Sequence, residues 1–320
     1  MKKIFYIFTS LLVFSNTSFS QNTNVKLSKV GETYSQNYVK PGIDAFGSIL
    51  NSGFFNTASA EYDKLQPVKF TFNFSLKFFG SFFPESSRSF DLSYIDSVDY
   101  NGVLREVEYS VTNAPTIIGS TKNAVATGYF TDNGEIAPPQ ELIGGVLNTS
   151  VVPLFYPQFQ FGTIYGTDAV IRFLPKINVG EFGSFAFFGF AIRHNLDHYF
   201  PNSPLNFAIQ AGYQINNIDD NTDFRILKAT DLFINLQASK SFTSLFTLYG
   251  GIQFEKYKGD INYVYVQDES TEIPVSFSQT ADDKFRGILG GNLTVGYFNF
   301  NFDANISNRI TLSTGIGVGF

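Results

Sequence analysis

The sequence predicts an all-β membrane protein: a transmembrane antiparallel up-and-down β-barrel of about twelve strands behind an N-terminal helical segment. Three observations predict it. Apolar and polar residues alternate with period two through most of the chain, in runs long enough to cross a bilayer. Past the N-terminus, no stretch of about 20 residues is continuously apolar, which argues against helical spans. The connections between runs sort into long ones on one side and short ones on the other.

Composition agrees. There are 38 Phe and 17 Tyr, no Trp and no Cys, and only 16% of residues are charged. Phe and Tyr favour strands. The mean hydropathy of -0.01 conceals the alternation, because the two faces cancel. A net charge of -6 argues against nucleic acid as a partner. Without cysteine there is no disulfide, thiolate metal site or lipoprotein anchor, and neither a cofactor nor a metal is expected.

The elements follow in order. Lys2 and Lys3 precede an apolar run from Ile4 to Phe14, then Ser18 and Ser20 in a small-x-small pattern. Residues 1–20 therefore read as a cleaved signal peptide, too short to span a bilayer, with Gln21 the first mature residue. Residues 21–62 form the helical segment. Leu27, Val30, Tyr34 and Tyr38 recur at three to four residues, as do Ile43, Phe46, Ile49, Leu50 and Phe54. Lys40-Pro41-Gly42 between them predicts two short helices with a proline corner. The segment either packs on the barrel rim or inserts into the lumen as a plug.

Residues 63–320 form the barrel. In the first strand Val68, Phe70, Phe72, Phe74, Leu76 and Phe78 alternate with Lys69, Thr71, Asn73, Ser75 and Lys77. Further strands are expected near 87–98, 103–112, 154–162, 166–176, 181–196, 204–216, 228–240, 244–267, 285–296, 298–306 and 310–320. With both ends in the periplasm, the long connections 113–153, 217–227 and 268–284 fall outside the cell and the short turns inside. In the last strand Ile310, Leu312, Ile316, Val318 and Phe320 share one face, while Thr311, Ser313, Gly315, Gly317 and Gly319 share the other.

That ending resembles the C-terminal signal of Gram-negative outer-membrane barrels, read by their assembly machinery. The resemblance implies that Leu312, Ile316, Val318 and the terminal Phe320 carry it, with location in the cell outer membrane among its lipids. The phrasing Tyr38-Val39-Lys40-Pro41, Asp44-Ala45-Phe46-Gly47 and Leu50-Asn51-Ser52-Gly53-Phe54, continuing through Arg172-Phe173-Leu174-Pro175 and Gly189-Phe190-Ala191-Ile192-Arg193-His194, resembles an uncharacterised family of outer-membrane barrel proteins. A looser resemblance is to outer-membrane long-chain fatty-acid and hydrocarbon transporters, in the helical N-terminus and the strand Val170-Ile171-Arg172-Phe173-Leu174-Pro175. It implies a hatch and a hydrophobic path.

Candidate sites follow from breaks in the alternation. Phe182, Phe185, Phe187, Phe188 and Phe190 put rings on both faces of one strand, whereas lipid absorbs only one face. The second face meets plug residues such as Ile43, Phe46 and Phe54, or a hydrophobic ligand. Arg193 completes this candidate lumen set. His194 and His198, the only histidines, fall where a strand enters a turn and are read as structural. An inward set of Lys69, Lys77, Asn206, Gln210, Gln214, Asp231, Asn235, Gln237, Glu255, Arg286, Asn292, Asn301 and Asp303 reads as a hydrogen-bonded filling of the lumen rather than an open pore.

The expected function is non-enzymatic: binding or passage of a small hydrophobic molecule at the outer membrane. One alternative is a structural or surface-interaction barrel working through loop 113–153. A second is a lipid-modifying enzyme, for which no serine stands at a diagnostic spacing from a base.

Overall fold

Alternation builds the wall, and the wall closes. The computed structural model describes residues 31–54, 57–59, 68–178, 183–268 and 271–320, so the signal-peptide reading and Phe182 lie outside the described residues. After one helix, α1 (Glu32–Leu50), come fifteen strands: β1 (Val68–Phe82), β2 (Ser89–Tyr100), β3 (Val103–Pro115), β4 (Ala124–Phe130), β5 (Ile136–Leu142), β6 (Val151–Ile164), β7 (Thr167–Asn178), β8 (Ser184–Asn195), β9 (Asn206–Asp219), β10 (Arg225–Ser241), β11 (Phe246–Asp268), β12 (Thr271–Thr280), β13 (Phe285–Val295), β14 (Phe298–Ile306) and β15 (Ile310–Gly319).

Ten of them form a closed antiparallel ring in the order β1-β6-β7-β8-β9-β10-β11-β13-β14-β15. β15 returns to β1, from Phe82↔Ile310 to Asn73↔Gly319. At this seam Phe72 and Phe320 exchange both main-chain hydrogen bonds, at 2.8 and 2.9 Å. Closure leaves the ring no free edge. Through the middle of the wall the outward faces are apolar, and the inward faces are polar or small except where aromatic rings such as Phe185, Phe187 and Tyr156 are buried inside. In β10, Asp231, Asn235 and Gln237 are buried while Leu232, Ile234 and Leu236 are exposed. Such an inside-out pattern belongs to a barrel in lipid.

The strands expected at 87–98 and 103–112 are not in the wall. β1 pairs directly with β6, from Phe82↔Val151 to Phe72↔Phe161, so residues 83–150 leave and re-enter at one mouth. There β2, β3, β4 and β5 form a separate four-stranded sheet, and segment 113–153 carries two of its strands, β4 and β5, rather than being a plain loop. Its polarity is opposite to the wall's: Val107, Tyr109 and Val111 of β3 are buried, while Glu106, Glu108 and Ser110 face solvent. Period two is common to both sheets, so alternation alone counts them alike. The expected connection 268–284 likewise contains a strand. β11 runs on for 23 residues, and β12 pairs with its far half beyond β13, outside the ring.

Helix α1 lies in the lumen. It is one helix of 19 residues rather than two, and Pro41 sits inside it. Proline removes an N–H and pushes away the preceding turn. Tyr38 O, in that turn, accepts from Ile117 N–H of the insertion at 2.9 Å. The carbonyl left without its donor by Pro41 is Asn37 O, one residue earlier, so this bond ties the turn to the insertion rather than replacing the lost one, and the corner expected at 40–42 does not form. The helix N-terminal half packs under the inner face of the β2–β5 sheet in one continuous core, with Tyr34, Tyr38 and Ile43 meeting Val107, Tyr109, Tyr257 and Tyr263. The sheet is a cap over this mouth.

Candidate functional site

The centre of the molecule is the place where α1 ends. A helix C-terminus leaves its last carbonyls without partners and carries the negative end of the macrodipole. Here the wall supplies the donors. Arg286 Nη1 donates to Ser48 O at 2.9 Å, and Tyr156 OH to Ile49 O at 3.3 Å. Leu50 O accepts from Arg172 Nη1 at 2.8 Å and Gln214 Nε2 at 3.1 Å. Gln253 Nε2 reaches Asn51 O at 2.9 Å, and Arg172 Nη2 reaches Ser52 O at 2.8 Å. Five consecutive carbonyls are held by side chains from β6, β7, β9, β11 and β13. Both arginines are wholly buried.

A polar network fixes those donors. Arg286 is paired with Glu255 at 2.5 Å, which also accepts from Gln253 at 2.7 Å. Arg172 donates to Gln158 at 2.8 Å and lies 3.3 Å over the Phe54 ring, a cation–π contact. Asp231 accepts from Asn51 Nδ2 at 2.9 Å. On the opposite wall Lys77 donates to Asn301 at 2.9 Å, and Asp303 accepts from Tyr249 and Ser313. A Cβ at Gly315 would lie 2.3 Å from Asn301 Oδ1, so the small face of the last strand is the room this network occupies. The inward reading holds for Lys77, Gln210, Gln214, Asp231, Asn235, Gln237, Glu255, Arg286, Asn292, Asn301 and Asp303, all buried. Lys69 is exposed and Asn206 half-buried, because both lie at the rim.

Two further fastenings hold the segment. Below, Arg193 pairs with Asp168 at 2.6 Å and donates to Thr57 O, and Asn195 donates to Ala58 O at 2.8 Å. Above, Asp44 binds Lys40 at 2.6 Å and Arg309 at 3.2 Å, and Arg309 also holds Asp283 at 2.9 Å. The segment is thus fastened inside the ring along its described length, from Asp44 to Ala58.

The aromatic strand divides as its parity requires. Phe188 and Phe190 face outward, while Phe185 and Phe187 are buried inside. Phe46 stacks on Phe185 with centroids 5.8 Å apart, Phe187 meets Tyr156 at 5.2 Å, and Phe54 meets Phe233 at 4.1 Å. Ile43 is in the same core, against Gly259. The inner rings therefore meet the helix. His194 faces outward at the rim, its Nδ1 2.8 Å from Thr167 Oγ1. No group of three metal-ligating residues occurs among the described residues. In β15, Leu312, Ile316 and Val318 keep the outward face, and Phe320 is exposed at its end.

Cap and plug were the parts sequence reasoning missed or left open. A signal existed for the cap: Asp91, Asp96, Asp99, Arg105, Glu106 and Glu108 leave β2 and β3 without a charge-free face for lipid. For the capture of α1 there was none, because its acceptors are main-chain carbonyls that every sequence carries.

A family model, described as a family of unknown function (DUF6588), matches residues 1–320. The chain belongs to that family. No characterised protein matches it in sequence. Among solved structures it is similar to OccK1 of Pseudomonas aeruginosa, at 9% identity over 79% of this chain and 98% of that one, with a TM-score of 0.23. It is also similar to the outer-membrane protease OmpT of Escherichia coli, at 11% identity over 78% and 96% (TM-score 0.29), and to the monoaromatic hydrocarbon channel TodX, at 8% over 78% and 88% (TM-score 0.24). At these scores the superpositions decide nothing. The family member's barrel stands on its own strand pairing.

Proposed function

We propose that this family member is a plugged outer-membrane barrel, non-enzymatic, whose capping sheet faces the outside of the cell and serves as its binding surface. The observation that carries the reading is the filled lumen, with α1 held by donors from five strands at its C-terminus. A resting pore is a poor fit to that arrangement. Membrane placement is supported by the outward apolar wall and by aromatics at the mouth opposite the cap. Tyr165, Tyr199, Phe200, Phe242, Tyr297 and Phe320 are all exposed there, in the manner of an interfacial girdle. That mouth also carries the two-residue turns 165–166 and 296–297, and with it on the periplasmic side, as in such barrels, the cap lies outside. Phe320 and the outward face of β15 fit an assembly signal.

The chain has no cysteine, so Glu108→Cys creates a single thiol on the cap's solvent face. A membrane-impermeant maleimide should label it on intact cells. In planar bilayers the wild type should conduct little, and deletion of residues 31–59 should open it. Labelling only after permeabilisation, or an open wild type, would sink the proposal.

A second reading, passage of a small hydrophobic molecule, has its own observation: Phe185, Phe187 and Tyr156 form an aromatic patch on the inner wall. It requires the helix to move. Mass spectrometry of organic extracts from the purified protein would detect a bound apolar compound, and clean extracts would count against it.

A further inference from the structure

We infer that the base of the cap holds a ligand site for a small hydroxylated acid, of the uronic-acid sugar class, an inference that rests on the cap being the binding face. A cleft of about 390 Å³ opens where the insertion leaves the barrel, lined by Glu85, Arg88, Ser89, Thr112, Asn113 and Lys122 among others. That volume lies within the range of small-molecule sites, roughly 300–1,000 Å³.

The charges in the cleft do not cancel. Arg88 Nη1 lies 3.2 Å from each Glu85 carboxylate oxygen, and its Nη2 donates to Asn148 at 2.6 Å. Glu85 is thereby neutralised, while Arg88 Nε is buried with no acceptor. Lys122 is exposed, and its ammonium makes no hydrogen bond or ion pair. One unmatched positive charge, on Lys122, remains in the cleft. Elsewhere at this mouth Asp219, Asp223, Asp282 and Asp283 are matched by Lys176, Arg225, Lys40 and Arg309, so none of them offsets the cationic spot in the cleft. It selects an anionic group.

Size and the neutral lining select what carries that group. A bare phosphate would occupy a small part of the cleft. Ser89, Thr112 and Asn113 add hydroxyl and amide groups whose side chains make no hydrogen bond within the protein. Such groups can both donate and accept, which matches the hydroxyls of a sugar ring.

Titration calorimetry on the detergent-purified full chain at low ionic strength tests this, with D-glucuronate, glucose and inorganic phosphate as probes. Glucuronate should bind at least tenfold more tightly than either of the others. Lys122→Glu should weaken it at least tenfold, and Thr112→Val severalfold, while a heat-dependent gel shift shows both variants folded. Absence of glucuronate binding, equal binding of glucose, equal binding of phosphate, or an unchanged affinity in Lys122→Glu would each overturn the proposal. The cell-labelling result for Glu108→Cys is independent of these titrations, so failure of the site and failure of the outward cap are distinguishable.

Discussion

At the scale of single residues the molecule depends on a few buried donors. Arg172 serves two carbonyls of the plug, one amide of the wall and the ring of Phe54. Removing it takes from the buried Ser52 O the only side-chain donor it has among the described residues. Arg172→Ala should cost roughly 3 kcal/mol, as a lost charge-assisted pair plus an unmet acceptor. A lowered unfolding midpoint in urea, read by the heat-dependent gel shift, checks it. Gly315→Val attacks the same network from behind, since even its Cβ collides with Asn301. Overpacking of this kind costs about 1–3 kcal/mol, and the same assay should show it. Asparagines and glutamines of the lumen were legible from alternation. Their partners were not, because register decides which of them face each other.

Among elements, α1 shows how a helix survives a bad residue. Pro41 would kink or break an isolated helix, yet here the turn before it is tied to the insertion, with Ile117 N–H donating to Tyr38 O and the Tyr34 and Tyr38 hydroxyls donating to Ile143 O and Gly144 O at 3.1 Å. Cap and plug are thus one unit. Replacing residues 89–142 by a short linker should leave the ring intact, because β1 and β6 pair without it. It should also loosen the helix. A cysteine at Ala45, which is buried, reports this: it should resist maleimide in the full protein and react in the capless one. Equal protection in both would mean that the wall alone holds α1. From the sequence, the helical period was readable, while the helix boundaries at Glu32 and Leu50 fall inside the expected segment 21–62. The continuity through Pro41 was not readable, since the groups that fasten this turn come from the insertion, far along the chain.

For the whole molecule, the decisive property is inversion: polar inside and apolar outside in the ring, the reverse in the cap. The lipid face tolerates no charge near its middle. Leu289, in the centre of β13, is 61% exposed. Leu289→Lys should destabilise by roughly 2–4 kcal/mol if it lies near the bilayer midplane. Glu106→Lys on the cap's solvent face should change stability little. Refolding yields into phospholipid vesicles would separate the two, and equal yields would contradict a membrane wall.

What the sequence determined by itself is the class of the object. Period-two alternation with one apolar face, carried through nearly every segment, fixes strands and the side each residue takes, because successive side chains point opposite ways. Loop parity then requires an even ring. Tertiary structure alone decided which strands share that ring. A strand facing lipid and a strand facing a protein core carry the same period, and only pairing, β1 with β6 rather than with β2, tells them apart. It also decided that the helix fills the lumen, since the groups that hold it there bind its main chain, whose chemistry no side-chain pattern reveals.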